Sequence, residues 1–262
     1  MDILDRILAA KRVELEAEKR AVPMRRAIEM ASAAPAPHPF LPVLRRSGGV
    51  NVIAEVKRAS PAKGSIAASA DPVAIARAYA DAGAAAISVL TDAKFFLGAP
   101  SHLDEIRRAV GVPLLRKDFI FEEYQIYRSR ALGADAVLFI ARVLERRPLS
   151  TLIGISRSLD MEALVEVHSE EDVDRAVDAG ATVIGVNNRD LATMTTSLET
   201  SLRLIERLPA GAVKVSESGI ESRADIDRLR SAGYDAFLIG ERLMREADPG
   251  ATLRSLVHGA AA

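Results

Sequence analysis

The sequence predicts an α/β fold, a closed (β/α)8 TIM barrel preceded by an N-terminal helical extension. Three observations carry this. Eight short apolar, β-rich runs alternate with amphipathic stretches from residue 52 onward. A glycine-led pattern recurs at intervals of two such units. Polar residues collect where the runs end, which in parallel barrels is the face that holds the chemistry.

The elements follow in order. In residues 2–20, Ile3, Leu4, Ile7, Leu8 and Leu15 stand at helical spacing with charges between them. A second helix is expected after Pro23, and the Ala/Pro stretch Ala33–Pro42 breaks the pattern. The predicted strands are Val52–Val56, Ala85–Leu90, Pro113–Leu115, Ala134–Ile140, Ala163–Val167, Thr182–Val186, Ala212–Val215 and Asp235–Ile239. Between them, Pro72–Ala82, Glu122–Leu132, Glu170–Ala179 and Arg223–Ala232 read as helices. The repeat is GAAAISVL, GADAVLFI, GATVIGV and GYDAFLIG, starting at Gly83, Gly133, Gly180 and Gly233. Each glycine suits the left-handed residue that closes a helix just before a strand. Near-continuously apolar strands alternating with helices mean a parallel sheet covered on both faces. Residues 1–262 thus read as a single barrel domain, of which 1–48 is the extension. A doubly wound open sheet is the alternative, but it usually carries GxGxxG after its first strand, and that motif is absent.

Composition narrows the chemistry. The chain has 262 residues, a net charge of −1 and 49% hydrophobic residues, room enough for a large core. With no cysteine, disulfides, thiolate metal sites and cysteine nucleophiles are excluded. The four histidines show no HxxxH pairing, so no metal site is predicted. Near-zero charge gives no global signal for nucleic acid. No apolar run approaches ~18 residues and the N-terminus lacks the apolar core of a secretory signal, so no membrane association and a cytoplasmic location are expected.

Lysine is scarce, seven of 35 basic residues, so lysines at strand ends stand out. The first strand ends Glu55-Val56-Lys57, and a period of two puts both charges on one face. The third ends Arg116-Lys117-Asp118, the fifth Glu166-Val167-His168, the sixth Asn187-Asn188-Arg189-Asp190, and the seventh Ser216-Glu217-Ser218-Gly219. Solvated rim charges would explain one such strand. Five, with Glu55 and Glu166 a step inside the apolar run, point to a compensated Lys/Glu cluster poised for proton transfer. Ser60-Pro61-Ala62-Lys63-Gly64, Ser218-Gly219 and Gly240-Glu241 offer small residues and free backbone N–H groups. The last two match the phosphate site common after strands seven and eight of such barrels, so a phosphorylated small molecule is the expected partner.

At this point the motifs resemble a known family, indole-3-glycerol phosphate synthase. They are IAEVKRASPAKG (Ile53–Gly64), SVLTDAKFFLG (Ser88–Gly98), LLRKDFI (Leu114–Ile120), ALVEVHSEED (Ala163–Asp172), IGVNNRDL (Ile184–Leu191), VSESGI (Val215–Ile220) and LIGERLM (Leu238–Met244). The resemblance implies decarboxylation, cyclisation and dehydration of 1-(2-carboxyphenylamino)-1-deoxyribulose 5-phosphate in tryptophan biosynthesis, without metal or organic cofactor. It makes Lys117 the general acid and gives Glu166 the proton of the dehydration, with Glu55, Lys57, Asn187 and Glu217 completing the catalytic cluster. Arg189, with Lys57, would meet the substrate carboxylate. Ser60, Ser218, Gly219, Gly240 and Glu241 would line the phosphate pocket. Two departures from the family pattern are RSR (Arg128–Arg130) after YQI, expected to matter little on an outer helix, and Arg242, expected to face solvent. The competing readings are a phosphoribosyl isomerase, a class I aldolase using Lys117 or Lys57 as a Schiff base, and a non-catalytic phosphate-binding barrel. A monomer is preferred over a homo-oligomer.

Overall fold

The computed structural model describes residues 3–190 and 193–259. Eight parallel strands close into a barrel: β1 Asn51–Val56, β2 Ala86–Leu90, β3 Leu114–Lys117, β4 Ala136–Ile140, β5 Glu162–Val167, β6 Val183–Asn187, β7 Val213–Glu217 and β8 Ala236–Ile239. Every strand pairs with its sequence neighbours, and β8 returns to β1 through Asn51↔Ala236 to Ala54↔Ile239. Each observed strand lies within two residues of its predicted run. The helices α4 Pro72–Asp81, α6 Pro100–Ala109, α7 Glu123–Ala131, α8 Arg146–Ser158, α9 Glu170–Asp178, α10 Glu199–Leu204, α11 Arg223–Ala232 and α13 Pro249–His258 accompany the barrel, and the short α5 Ala93–Phe96 and α12 Glu241–Met244 lie in loops at the strand ends. Gly83, Gly133, Gly180 and Gly233 all have φ between 83° and 110°, the conformation that the repeat called for.

Alternation along the strands divides the apolar side chains in two. Ile53, Leu115, Leu138, Leu164, Val183, Val213 and Leu238 fill the barrel interior, while Val52, Ile87, Val137, Val165 and Ile184 pack against the outer helices.

The N-terminal segment spans the barrel from mouth to base. Helix α1 Ile3–Ala21 starts over the strand C-termini, α2 Met24–Ala33 runs against α7, and α3 Phe40–Leu44 plugs the base with Phe40, Val43 and Leu44. The helix expected from residue 2 begins at Ile3, and Asp2 lies outside the described residues. The Ala/Pro stretch was expected to stay non-helical to Pro42, but α3 begins at Phe40. Pro42 sits in its first turn, where no intrahelical donor is required of it. Arg128 and Arg130, given little weight in sequence, stitch this segment to the barrel. Arg128 pairs with Glu18 at 2.8 Å, and Arg130 donates to the carbonyls of Ala34 (3.1 Å) and Pro35.

Candidate active site

The C-terminal ends of the strands enclose a cavity of about 520 Å³. Its wall includes Glu55 and Lys57 from the end of β1, Lys117 from β3, Glu166 from β5, Asn187 and Arg189 from β6 and beyond, and Glu217, Ser218 and Gly219 from β7 and its loop. Gly240 and Glu241 follow β8, and Ser60 comes from the loop after β1. All twelve residues to which the family resemblance gives a role therefore meet in one space, while Arg116, His168 and Asn188 at the same strand ends stay outside its lining. At its floor, Lys117 Nζ lies 2.8 Å from Glu166 Oε2 and 3.6 Å from Glu217 Oε2, and Lys57 Nζ lies 2.7 Å from Glu55 Oε1.

Two glycines make room for the carboxylates. A Cβ on Gly185 would stand 2.0 Å from Glu217 Oε1, and one on Gly240 would stand 2.4 Å from Glu55 Oε1. The absence of a side chain at Gly240 is thus required by Glu55, which revises its reading as a residue kept small for phosphate alone. Burial sets the electrostatics. It would lower Lys117, but Glu166, Glu217 and Glu55 outweigh it and hold the ammonium charged. Burial likewise opposes ionisation of Glu166, yet Lys117, His168 and hydrogen bonds from Lys117 and Asn187 hold its carboxylate well below the usual range. Glu217 goes the other way. Burial, with the negative charges of Glu166 and Glu55, pushes it up to about 8 against the pull of Lys117, and neither oxygen has a hydrogen-bond partner. Two neighbouring carboxylates are thereby driven to opposite protonation states, as acid–base pairs require.

The opposite end of the cavity is built from backbone. Ser218 and Gly219 both adopt positive φ, 67° and 76°, and Asn188 Nδ2 holds the Ser218 carbonyl at 3.0 Å. Ser60 sits in a two-residue hairpin, Ala59–Ser60 against Gly64–Ser65, and its hydroxyl accepts from the Lys63 N–H. Arg189 donates to Glu241 Oε2 at 2.9 Å, and Lys63 and Arg245 each come within 3.7 Å of Glu241 Oε1. Arg242, expected in solvent, instead lines the cavity rim, tied to the Glu221 carbonyl at 3.1 Å and to Glu246. Among the described residues, no group of three His, Cys, Asp or Glu side chains could hold a metal ion, and no helix is long and apolar enough to cross a membrane.

Residues 4–256 match the sequence profile of indole-3-glycerol phosphate synthase. The chain belongs to the indole-3-glycerol phosphate synthase family. Curated members from Roseiflexus sp. (strain RS-1) and Carboxydothermus hydrogenoformans are each 47% identical to it. The first alignment covers 98% of both chains, the second 97% of this chain and 99% of the relative. The activity is that of the family, conversion of 1-(2-carboxyphenylamino)-1-deoxyribulose 5-phosphate to indole-3-glycerol phosphate, CO2 and water in tryptophan biosynthesis. Solved structures are similar in fold alone. The 3-hexulose-6-phosphate synthase from Salmonella typhimurium superposes with a TM-score of 0.64 at 14% identity, covering 79% of this chain and 96% of that one. KGPDC from Streptococcus mutans gives 0.60 at 13%, covering 79% and 95%.

The synthase cavity also has an apolar wall that sequence reasoning missed. Phe96 and Phe119, with ring centroids 6.1 Å apart, stand with Leu138 and Ile140 on one side, and Ile3, Leu4 and Ile7 of α1 line it from above. Leu138 and Ile140 were legible as alternating inward positions of a strand. Phe96 ends the four-residue α5 and Phe119 lies in the loop after β3, segments too short for any periodicity to mark them.

Proposed function

We propose a division of labour for the synthase reaction within this cavity. The aromatic ring of the substrate lies against Phe96, Phe119, Leu138 and Ile140, its carboxylate meets Arg189 and Lys57, and its phosphate meets the backbone N–H groups around Ser218, Gly219, Gly240 and Glu241 with the Ser60 hydroxyl. The observation that carries this reading is the Lys117–Glu166 pair at 2.8 Å, set between an apolar wall and a glycine-lined end. The ring carbon bearing the carboxylate attacks the ketone carbon, and the carbonyl oxygen takes a proton from Lys117 as the new C–C bond forms. An ammonium at that point both offsets the developing charge and supplies the proton. Loss of CO2 returns the bonding electrons to the ring and restores its aromaticity. Glu166, ionised beside Lys117, then takes a proton from the adjacent carbon while Lys117, recharged by Glu217, protonates the new hydroxyl, which leaves as water. Glu217, protonated and 3.6 Å from Lys117, returns the proton that Lys117 has given. Glu55 holds Lys57, and Asn187 holds Glu166. The protein acts as a monomer in the cytoplasm.

Single-turnover experiments with substrate labelled in its carboxylate test the split. Lys117→Met should abolish release of both labelled CO2 and indole fluorescence, because cyclisation precedes both. Glu166→Gln should release CO2 while indole formation stalls. Equal loss of both products in the two variants would refute separate roles. The chain contains no tryptophan, so the product's fluorescence rises over tyrosine alone.

A further inference from the structure

Helix α1 carries a lysine where its apolar stripe should continue. Its buried positions are Leu4, Ile7, Lys11 and Leu15, which share one face. Lys11 is 4% exposed, and its Nζ lies 3.0 Å from Asp92 Oδ2 and 3.0 Å from Asp118 Oδ1. The third carboxylate near it, Glu14 at 2.9 Å, is on the surface. A buried ammonium persists only when paired, and the two aspartates supply that pairing.

Each aspartate has a second task on the cavity wall. Asp92 Oδ1 accepts from the Phe95 N–H at 2.8 Å and so caps α5, which ends in Phe96. Asp118 Oδ1 accepts from the Phe119 N–H at 2.8 Å, while its Oδ2 is taken by Thr91 and Arg116. Asp118 also follows Lys117 directly. Lys11 is outside the cavity lining, yet it joins the two groups that set the backbone of both rings. Without its charge, two buried carboxylates within about 6 Å of each other would repel and pull the Phe96 and Phe119 loops apart.

We propose that Lys11 is a positioning residue of the synthase reaction: by bridging Asp92 and Asp118 it fixes the spacing of Phe96 and Phe119 and so tunes the enzyme for the aromatic half of its substrate. This rests on the seating of the aromatic ring proposed above. The sequence signal is the one cationic position in the α1 stripe, which periodicity alone reads as a gap.

The test compares two competitive inhibitors on the full chain, inorganic phosphate and the substrate reduced at its ketone. In Lys11→Met, inhibition by phosphate should stay within twofold, while the reduced substrate, which also needs the ring wall, should bind at least tenfold more weakly. Lys11→Arg should recover most of the loss. A merely structural role would change both inhibitors alike, and that result, or no change in either, would overturn the proposal. Phosphate failing to inhibit the parent would count against the phosphate seat, while the reduced substrate would still test Lys11. Should Lys11→Met fail to fold, Asp92→Asn keeps a capping side chain but removes one anion. It should show the same split at about threefold, and a folded Asp92→Asn without it would overturn the idea.

Discussion

Replacing Glu217 by glutamine should stabilise the folded enzyme, and increasingly so as pH rises. The side chain is 1% exposed, neither oxygen accepts a hydrogen bond, and its pKa is pushed up to about 8 from an ordinary value of 4.5. Between those two values the folded chain keeps a proton that the unfolded chain gives up. Stability therefore falls with rising pH across that window, by at most ~1.4 kcal/mol per pH unit for one proton. Glutamine has nearly the same shape and stays neutral, so it escapes this cost. Between pH 5.5 and 7.5 the stability advantage of Glu217→Gln over the parent should grow by about 2.5 kcal/mol. Urea unfolding of both proteins at the two pH values measures it directly. Glutamine cannot hand a proton back to Lys117, so turnover should fall by about 10²-fold, and the activity that remains should lack the parent's decline above pH 8. A stability difference that stays constant within ~0.5 kcal/mol across this range would refute the argument that Glu217 is buried in its protonated form.

Three further outcomes follow from the same geometry. Lys117→Met should lower kcat at least ~10²-fold with substrate still bound, and borohydride added to the turning-over parent should leave the protein mass unchanged; a substrate-sized adduct on Lys117 would revive the aldolase reading. Gly185→Ala drives a methyl group to 2.0 Å from Glu217 Oε1 and 2.8 Å from Leu164, so it should cost ~1–3 kcal/mol of stability and reduce kcat together, measurable by thermal melting and steady-state rates. Arg130→Ala leaves the Ala34 and Pro35 carbonyls without their guanidinium, and should lower the melting temperature by roughly 2–4 °C per kcal/mol lost while kcat stays within twofold.

The barrel was legible because its signals are local. Apolar runs, the period-two placement of Glu55 with Lys57, and glycines before the even strands can all be read within ten residues of sequence. Arg223–Ala232 was predicted to the residue because Ser222 and Asp225 form a capping box at one end and Gly233 closes the other. What stayed hidden depends on distance in space. The Arg189–Glu241 pair joins positions 52 residues apart, and no pattern in either strand announces it. Gly240 looked like a phosphate turn because its other neighbour, Glu55, lies at the far end of the chain. Arg128 and Arg130 carried little weight as residues of an outer helix, since their partners belong to a segment about a hundred residues earlier.

Closure of the barrel has a consequence for how the enzyme assembles. The first four strands carry Glu55, Lys57 and Lys117, and the last four carry Glu166, Asn187 and Glu217. Lys117 therefore has no acidic partner at hydrogen-bonding distance within its own half. Its nearest partner, Glu166 on β5, reaches it once the β4–β5 seam is zipped, and Glu217 on β7 adds a second carboxylate at 3.6 Å. A collapsed first half would have to dehydrate this ammonium with only Glu55 to offset its charge, which electrostatics opposes until the second half arrives. The catalytic cluster thus ties the two halves of the barrel together electrostatically as well as through their paired strands.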